Sequence, residues 1–343
     1  MYEVTAKNRA SCRLDNYARD CGRIWKKDAE RPVFDLYYHV ALHTSKIGES
    51  LRREQYDDAL HELAETTIWL LSLVNKLNTV SEGPDRIFRL RTPVSQIIWN
   101  KFPNCCPVCF SRLMSEPGKS RANGWLGKMH KCDCLLRLSE VEVRNQIPGP
   151  SPEVKKEIKK KLRAYADEYR PQSERRLGLK AFEQRFEQIF DASIFVMSIE
   201  TIGFHLFEEI GEIADALMSV YTYREDELKP ALRAEKIHEL ENEIADAFSW
   251  IFSISIKLRS IYTLPDRTFK RLTGGGARIL SLSFEDHMWL YQIIWDDYGD
   301  PRLKQLRCRD CGKSVCDCDI RLAYNHHREV GILLRERATR LTH

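Results

Sequence analysis

The chain has 343 residues, 43% of them apolar and 30% charged, with 54 Lys plus Arg against 50 Asp plus Glu for a formal net charge of +4. That length suits two ordinary domains or one built by duplication, and the apolar content supplies sizeable cores, which excludes a disordered or fibrous chain. The near-balance of charge argues against a dedicated nucleic-acid coat protein. With no basic-plus-apolar leader and no run of eighteen apolar residues, the expectation is a soluble cytoplasmic protein without a membrane span.

Residues 1–30 read as an N-terminal extension. Apolar positions with helical spacing follow over 34–52 and 56–79, and the first of two cysteine clusters then comes at Cys105, Cys106, Cys109, Cys132 and Cys134. The run Pro148-Gly149-Pro150-Ser151-Pro152 breaks the chain inside a charged linker, 138–180. Within that linker Val154, Ile158, Leu162 and Tyr165 keep helical spacing among five lysines, either as the solvated face of a connecting helix or as a phosphate contact. Further helices are predicted over 180–221 and 236–260. Gly274-Gly275-Gly276 lacks a following Lys-Ser/Thr and a βαβ setting, so it reads as a loop. The second cluster, Cys308, Cys311, Cys316 and Cys318, precedes helical periodicity over 320–339 and a C-terminal helical region, 321–343. Sustained strand-type alternation is missing, so an all-α fold with two small metal-bound loops is expected.

Self-comparison organises the chain. His61 to Leu77 (HELAETTIWLLSLVNKL) matches Asn242 to Leu258 (NEIADAFSWIFSISIKL), and both copies run on to Pro-Asp-Arg, at 84–86 and 265–267. Gln-Ile-Ile-Trp recurs at 96–99 and 292–295, each copy then reaches CxxC followed by Cys-Asp-Cys, and Lys46-Ile47-Gly48-Glu49 lines up with Glu209-Ile210-Gly211-Glu212. Five matches in one order read as a tandem duplication, with copy one over 31–137 and copy two over 181–320.

Copy two carries a carboxylate pattern. Glu209 and Glu212 are three apart on one helix, hence on one face, and Glu243 and Asp246 are three apart on the next. Two carboxylates about 4 Å apart repel by roughly 4 kcal/mol at an effective dielectric of about 20. Four of them require raised pKa values or a shared cation, and Mg²⁺ is the natural hard ion for oxygen ligands. Glu243, Asp246, Trp250, Ser253 and Lys257 continue one stripe along the helix, and copy one repeats it as Glu62, Glu65, Trp69, Ser72 and Lys76.

Glu208-Glu209-x-x-Glu212 followed by Glu243-x-x-Asp246 resembles the EExxE…ExxD signature of the MazG-like all-α nucleoside triphosphate pyrophosphohydrolases, over about residues 200–260. The resemblance implies a Mg²⁺-binding four-helix bundle that splits a nucleoside triphosphate between its α and β phosphates, giving monophosphate and pyrophosphate. Carried over residue by residue, it makes Glu209, Glu212, Glu243 and Asp246 the metal ligands and Glu208 an auxiliary acid or base. Trp250, Lys257 and, across the pseudo-dimer, Trp69 are the expected substrate-binding residues. Copy one departs from the pattern: Ser45 and Lys46 stand where copy two has Glu208 and Glu209, and only Glu49 matches Glu212. It is therefore expected to be a degenerate partner in a fused pseudo-dimer, with Lys46 pairing to the remaining acids in place of metal. MazG-like bundles commonly dimerise, so further homo-oligomers are compatible with this reading.

The cysteines add a second chemistry. Cys106, Cys109, Cys132 and Cys134, and likewise Cys308, Cys311, Cys316 and Cys318, offer four thiolates each, the pattern of closed structural zinc; Cys105 and His130 are spare potential ligands. Catalytic zinc and an iron–sulfur cluster remain alternatives on spacing alone. Lys128, Lys131, Arg302, Lys304 and Arg307 beside the clusters offer a nucleic-acid contact, but a clip holding loops to the bundle is the favoured role. The alternative to a hydrolase is a zinc-stapled helical protein that binds nucleotides or nucleic acid without turning them over.

Overall fold

The computed structural model describes residues 3–79, 90, 92–102, 177–222, 230–263, 289–300, 304–309 and 311–316. The first cysteine cluster, Cys318, the linker helix, the triple glycine and the C-terminal helical region lie outside these residues. Eight α-helices carry the described fold: α1 (Leu14–Ile24), α2 (Val33–Arg52), α3 (Tyr56–Thr79), α4 (Val94–Lys101), α5 (Leu179–Val196), α6 (Ile199–Thr222), α7 (Pro230–Thr263) and α8 (Leu290–Tyr298). One antiparallel pair of two-residue strands, β1 (Gly299–Asp300) and β2 (Gln305–Leu306), leads from α8 into the second cysteine cluster. The fold is all-α, as expected. None of the helices among the described residues is long and apolar enough to cross a membrane.

The periodic segments that fall among the described residues fold as predicted, with two informative differences. The span 180–221 is two helices, because Ser198 starts a new one: its hydroxyl accepts the Thr201 N–H at 3.2 Å and meets the Thr201 hydroxyl at 3.0 Å, the arrangement of an N-cap. Helix α7 begins earlier than expected, at Pro230, a residue that suits the first turn because its missing N–H has no helical partner there. Within the N-terminal extension, Leu14, Tyr17, Cys21 and Ile24 of α1 are all buried in the core.

Helices α3 and α7 form the centre. Both bury residues on several sides, Leu63, Leu70, Leu71 and Val74 on α3 and Ile244, Phe248, Ile251 and Phe252 on α7. Two of their buried hydroxyls bond back to the preceding turn, Thr67 to the Leu63 carbonyl at 2.7 Å and Ser253 to that of Ser249 at 2.8 Å, so no polar cost is left at those two positions.

The packing is reciprocal. Helix α2 lies on α3 and α6 on α7; α1 lies on α3 and α5 on α7; α2 meets α6; and the short helices cross over, α4 onto α7 and α8 onto α3. At the α2–α6 contact the Tyr37 hydroxyl donates to the Ile210 carbonyl at 3.1 Å. A Cβ on Gly203 would come within 2.9 Å of the Leu51 side chain, so this approach favours glycine. Each short helix is capped by an acid from its own side. Asp15 of α1 accepts from the Ser95 N–H and hydroxyl at 2.9 and 2.6 Å, and the fully buried Glu183 of α5 accepts from the Leu290 N–H at 3.0 Å.

Candidate metal centres and their surroundings

Helices α6 and α7 run side by side, which lets acids from both reach one point. Oxygens of Glu209, Glu212 and Glu243 lie within 4.8 Å of one another. Burial pushes the Glu209 carboxyl up from its ordinary pKa, and Glu212 and Glu208 nearby push the same way. Glu243 is raised to about 7, chiefly by burial and further by its hydrogen bond to Glu212, with Lys101 opposing. One oxygen of Glu209, Oε2, is buried and has no hydrogen-bond partner among the described residues. A buried, unpartnered carboxylate oxygen on a residue grouped with two further carboxylates fits a hard cation with oxygen ligands.

The other expected residues take distinct places. Asp246 is outside that group of three: its carboxylate pairs with the Lys101 ammonium, which comes from the C-terminal end of α4 and also reaches the Asn242 carbonyl at 3.4 Å. Trp250 donates its indole N–H to Glu209 Oε1 at 3.2 Å and stacks on His205 with centroids 4.7 Å apart, so it orients a carboxylate. Glu208 faces outward and meets His205 Nδ1 at 2.7 Å. Lys257 lies two to three turns further along α7, where burial lowers its pKa against the opposing pull of Glu200.

The matching region of the first half is charge-satisfied. His43 Nδ1 meets Glu62 at 2.6 Å and Lys46 approaches Glu62 at 3.6 Å, so Lys46 makes the internal ion pair anticipated for it. Arg309, between two cysteines of the second cluster, binds Glu65 at 2.8 Å and His61 Nε2 at 2.8 Å, while Asp297 of α8 takes His61 Nδ1 at 2.8 Å. Glu49 is turned to Arg53 at 2.5 Å. Trp69 stacks on His39 with centroids 4.0 Å apart and lies under Arg31 at 5.7 Å. Lys76 is buried and donates to the Ala29 carbonyl at 2.5 Å. The contacts described for Trp69 and Lys76 are thus within the first half.

The second cysteine cluster closes on itself. Sulfurs of Cys308, Cys311 and Cys316 lie within 4.8 Å of one another, with Cys308 buried. The turn that gathers them is set by backbone: the Gly312 N–H donates to the Cys308 carbonyl at 2.9 Å, the Cys308 N–H to the Lys313 carbonyl at 2.9 Å, and Gly312 has φ 68°, which glycine adopts without penalty. The loop is fastened to the far end of the chain, for the Cys316 N–H donates to the Ile24 carbonyl at 2.6 Å and Arg23 reaches the Ser314 carbonyl at 3.3 Å. Three convergent thiols could hold a metal ion such as zinc.

Lys101, His205, His43, Arg309 and Asp297 were not singled out from the sequence. Spacing shows which residues share a helix face, and most of these contacts are made between elements far apart in sequence: Lys101 to Asp246, His43 to Glu62, Asp297 to His61, Arg309 to Glu65 and His205 to Trp250. One signal was present: Lys101 and Asp297 fall at equal distances after the repeated Gln-Ile-Ile-Trp. Comparisons with protein-family models, with curated proteins and with solved structures return no match to this chain.

Proposed function

We propose that the chain is a Mg²⁺-dependent nucleotide pyrophosphohydrolase, built as a fused pseudo-dimer with one competent centre, on α6 and α7. The observation that carries this reading is the convergence of carboxylate oxygens of Glu209, Glu212 and Glu243 within 4.8 Å of one another, with one buried oxygen of Glu209 left without a hydrogen-bond partner among the described residues. The EExxE…ExxD pattern supplies the reaction, and the reciprocal packing with matching caps supports the duplication. Read this way, the repeat unit takes in α1, which lies on α3 as α5 lies on α7.

Glu209, Glu212 and Glu243 would hold the ion, with Asp246 as the fourth carboxylate once Lys101 gives it up. A Mg²⁺ ion bound there supplies charge neutralisation on the phosphates and a more acidic water. The chain's own residues do the rest. Trp250 fixes the orientation of Glu209, and the outward Glu208–His205 pair can take a proton from the attacking water at the mouth of the centre. In the first half, Lys46 and Arg309 already pair with Glu62 and Glu65 and the His43 ring bonds to Glu62, so a cation gains little by binding there. We read the cysteine clusters as structural zinc, with Cys318 the fourth ligand to Cys308, Cys311 and Cys316, and Cys106, Cys109, Cys132 and Cys134 forming the other.

Incubating the pure protein with a panel of NTPs and dNTPs, with and without Mg²⁺, tests the proposal. Monophosphate plus pyrophosphate, only with metal, is expected. Diphosphate plus orthophosphate would overturn the mechanism, and metal-linked nucleotide binding without turnover would favour the binding-protein alternative.

A further inference from the structure

Lys101 belongs to the first half, yet its ammonium sits in the carboxylate cluster of the second, paired with Asp246 and next to the Asn242 carbonyl. Its position is fixed from several directions. Helix α4 is held at its N-terminus by Asp15, lies on α7 and buries Ile97 and Ile98. The next residue, Phe102, is anchored against Phe186 and Phe190 of α5, with ring centroids 5.1 and 6.1 Å away. The opposite crossing delivers the opposite sign. Asp297, at the matching place on α8, enters the first half and binds His61 at 2.8 Å.

A nucleoside triphosphate carries more negative charge than one divalent ion neutralises, so a phosphate-binding cation is needed beside the carboxylates. Lys257 is eleven residues beyond Asp246, about 16 Å along the helix at ~1.5 Å per residue, which is too far to share the centre's phosphates. Lys101 is already there. We propose that Lys101 is the phosphate-binding lysine of this site, contributed across the pseudo-dimer: it neutralises Asp246 while metal is absent and moves to a phosphate oxygen of the substrate when Asp246 turns to the cation. This rests on the hydrolase reading above and adds to it the identity and origin of the phosphate ligand.

The test compares wild type with Lys101→Met and Lys101→Arg, with three readouts: Mn²⁺ binding without nucleotide, binding of a non-hydrolysable α,β-methylene triphosphate, and the separate values of KM and kcat. For Lys101→Met, Mn²⁺ should bind at least as tightly as in wild type, because a competing ammonium is gone. Analogue affinity should fall and KM rise by about 10- to 100-fold, the worth of one charge-assisted hydrogen bond. Lys101→Arg should recover part of that loss. Wild-type KM and analogue affinity in Lys101→Met would overturn the proposal. Weaker Mn²⁺ binding with a parallel fall in kcat would overturn it too, by making Lys101 a staple for the carboxylates. If wild type itself binds no Mn²⁺ and cleaves no nucleotide, the hydrolase reading falls and this proposal with it.

Discussion

Glu243 and Glu62 stand at matching places on α7 and α3 but meet different company. Glu243 faces Glu209 and Glu212, and its carboxyl is raised to about 7; Glu62 faces His43 and Lys46, which hold its carboxyl below the ordinary value although burial opposes them. Glu243→Gln is therefore expected to abolish pyrophosphate release, whereas Glu62→Gln should leave most of it, as a steady-state pyrophosphate assay will show. Glu212→Gln and Asp246→Asn should each lower kcat by at least about a hundredfold, the usual size of a lost electrostatic contact at a reacting group. Equal loss from Glu62→Gln and Glu243→Gln would mean that both halves supply acids to one centre. The acids themselves were legible in the sequence, because three-residue spacing on an amphipathic helix fixes a face. That Asp246 would be held by Lys101 was not, since 145 residues separate the two.

At the scale of elements, the short helices and the cysteine loop act as connectors whose ends are tied by single groups. Glu183 is fully buried, capping α8 while bonded to Ser255 and Arg259, and burial raises its pKa to about 7 even with the Arg259 guanidinium beside it. A carboxyl raised on folding makes its ionisation a cost to the folded state, so this contribution is absent below about pH 4.5 and grows until about pH 7. Stability should accordingly drift down over that window, and Glu183→Gln should flatten the drift, measured as Tm against pH. Asp15→Ala removes the cap on α4 and should cost about 1 kcal/mol. If α4 carries the phosphate-binding lysine, the same variant should raise KM more than it lowers kcat. Cys308→Ser or Cys316→Ser should remove one zinc equivalent by elemental analysis and loosen the end of α1, read as faster amide exchange at Arg23 and Ile24, to which the loop is bonded. The long helices were evident from periodicity, but α1, α4 and α8 were not. Eight to eleven residues give few turns in which a period can show, and these helices owe their stability to caps and neighbours, as in the contacts of Asp15 and Glu183.

Over the whole molecule, the internal repeat predicted two units side by side, and among the described residues the short helices α4 and α8 each pack on a long helix of the opposite half of the chain. Sequence self-similarity identifies equivalent segments but does not say whether α4 covers the helix pair of its own half or of the other. Here it lies on α7, and α8 lies on α3. That crossing bears on how the chain could be divided. A cut anywhere between Phe102 and Leu177 would produce two pieces, each holding a short helix that has no complete surface to rest on without its counterpart. Expressed alone, each piece should be aggregation-prone or poorly folded; expressed together, the two should reassemble and regain pyrophosphate release, and co-purification of differently tagged pieces will show it. The crossing also constrains how the protein can change over generations. On the proposed reading, the half without a complete set of acids cannot be trimmed away as surplus, because α4 and Lys101 of that half lie on α7 and Asp246 of the other, and a substitution near residue 101 would be inherited as a change to the proposed centre on α6 and α7.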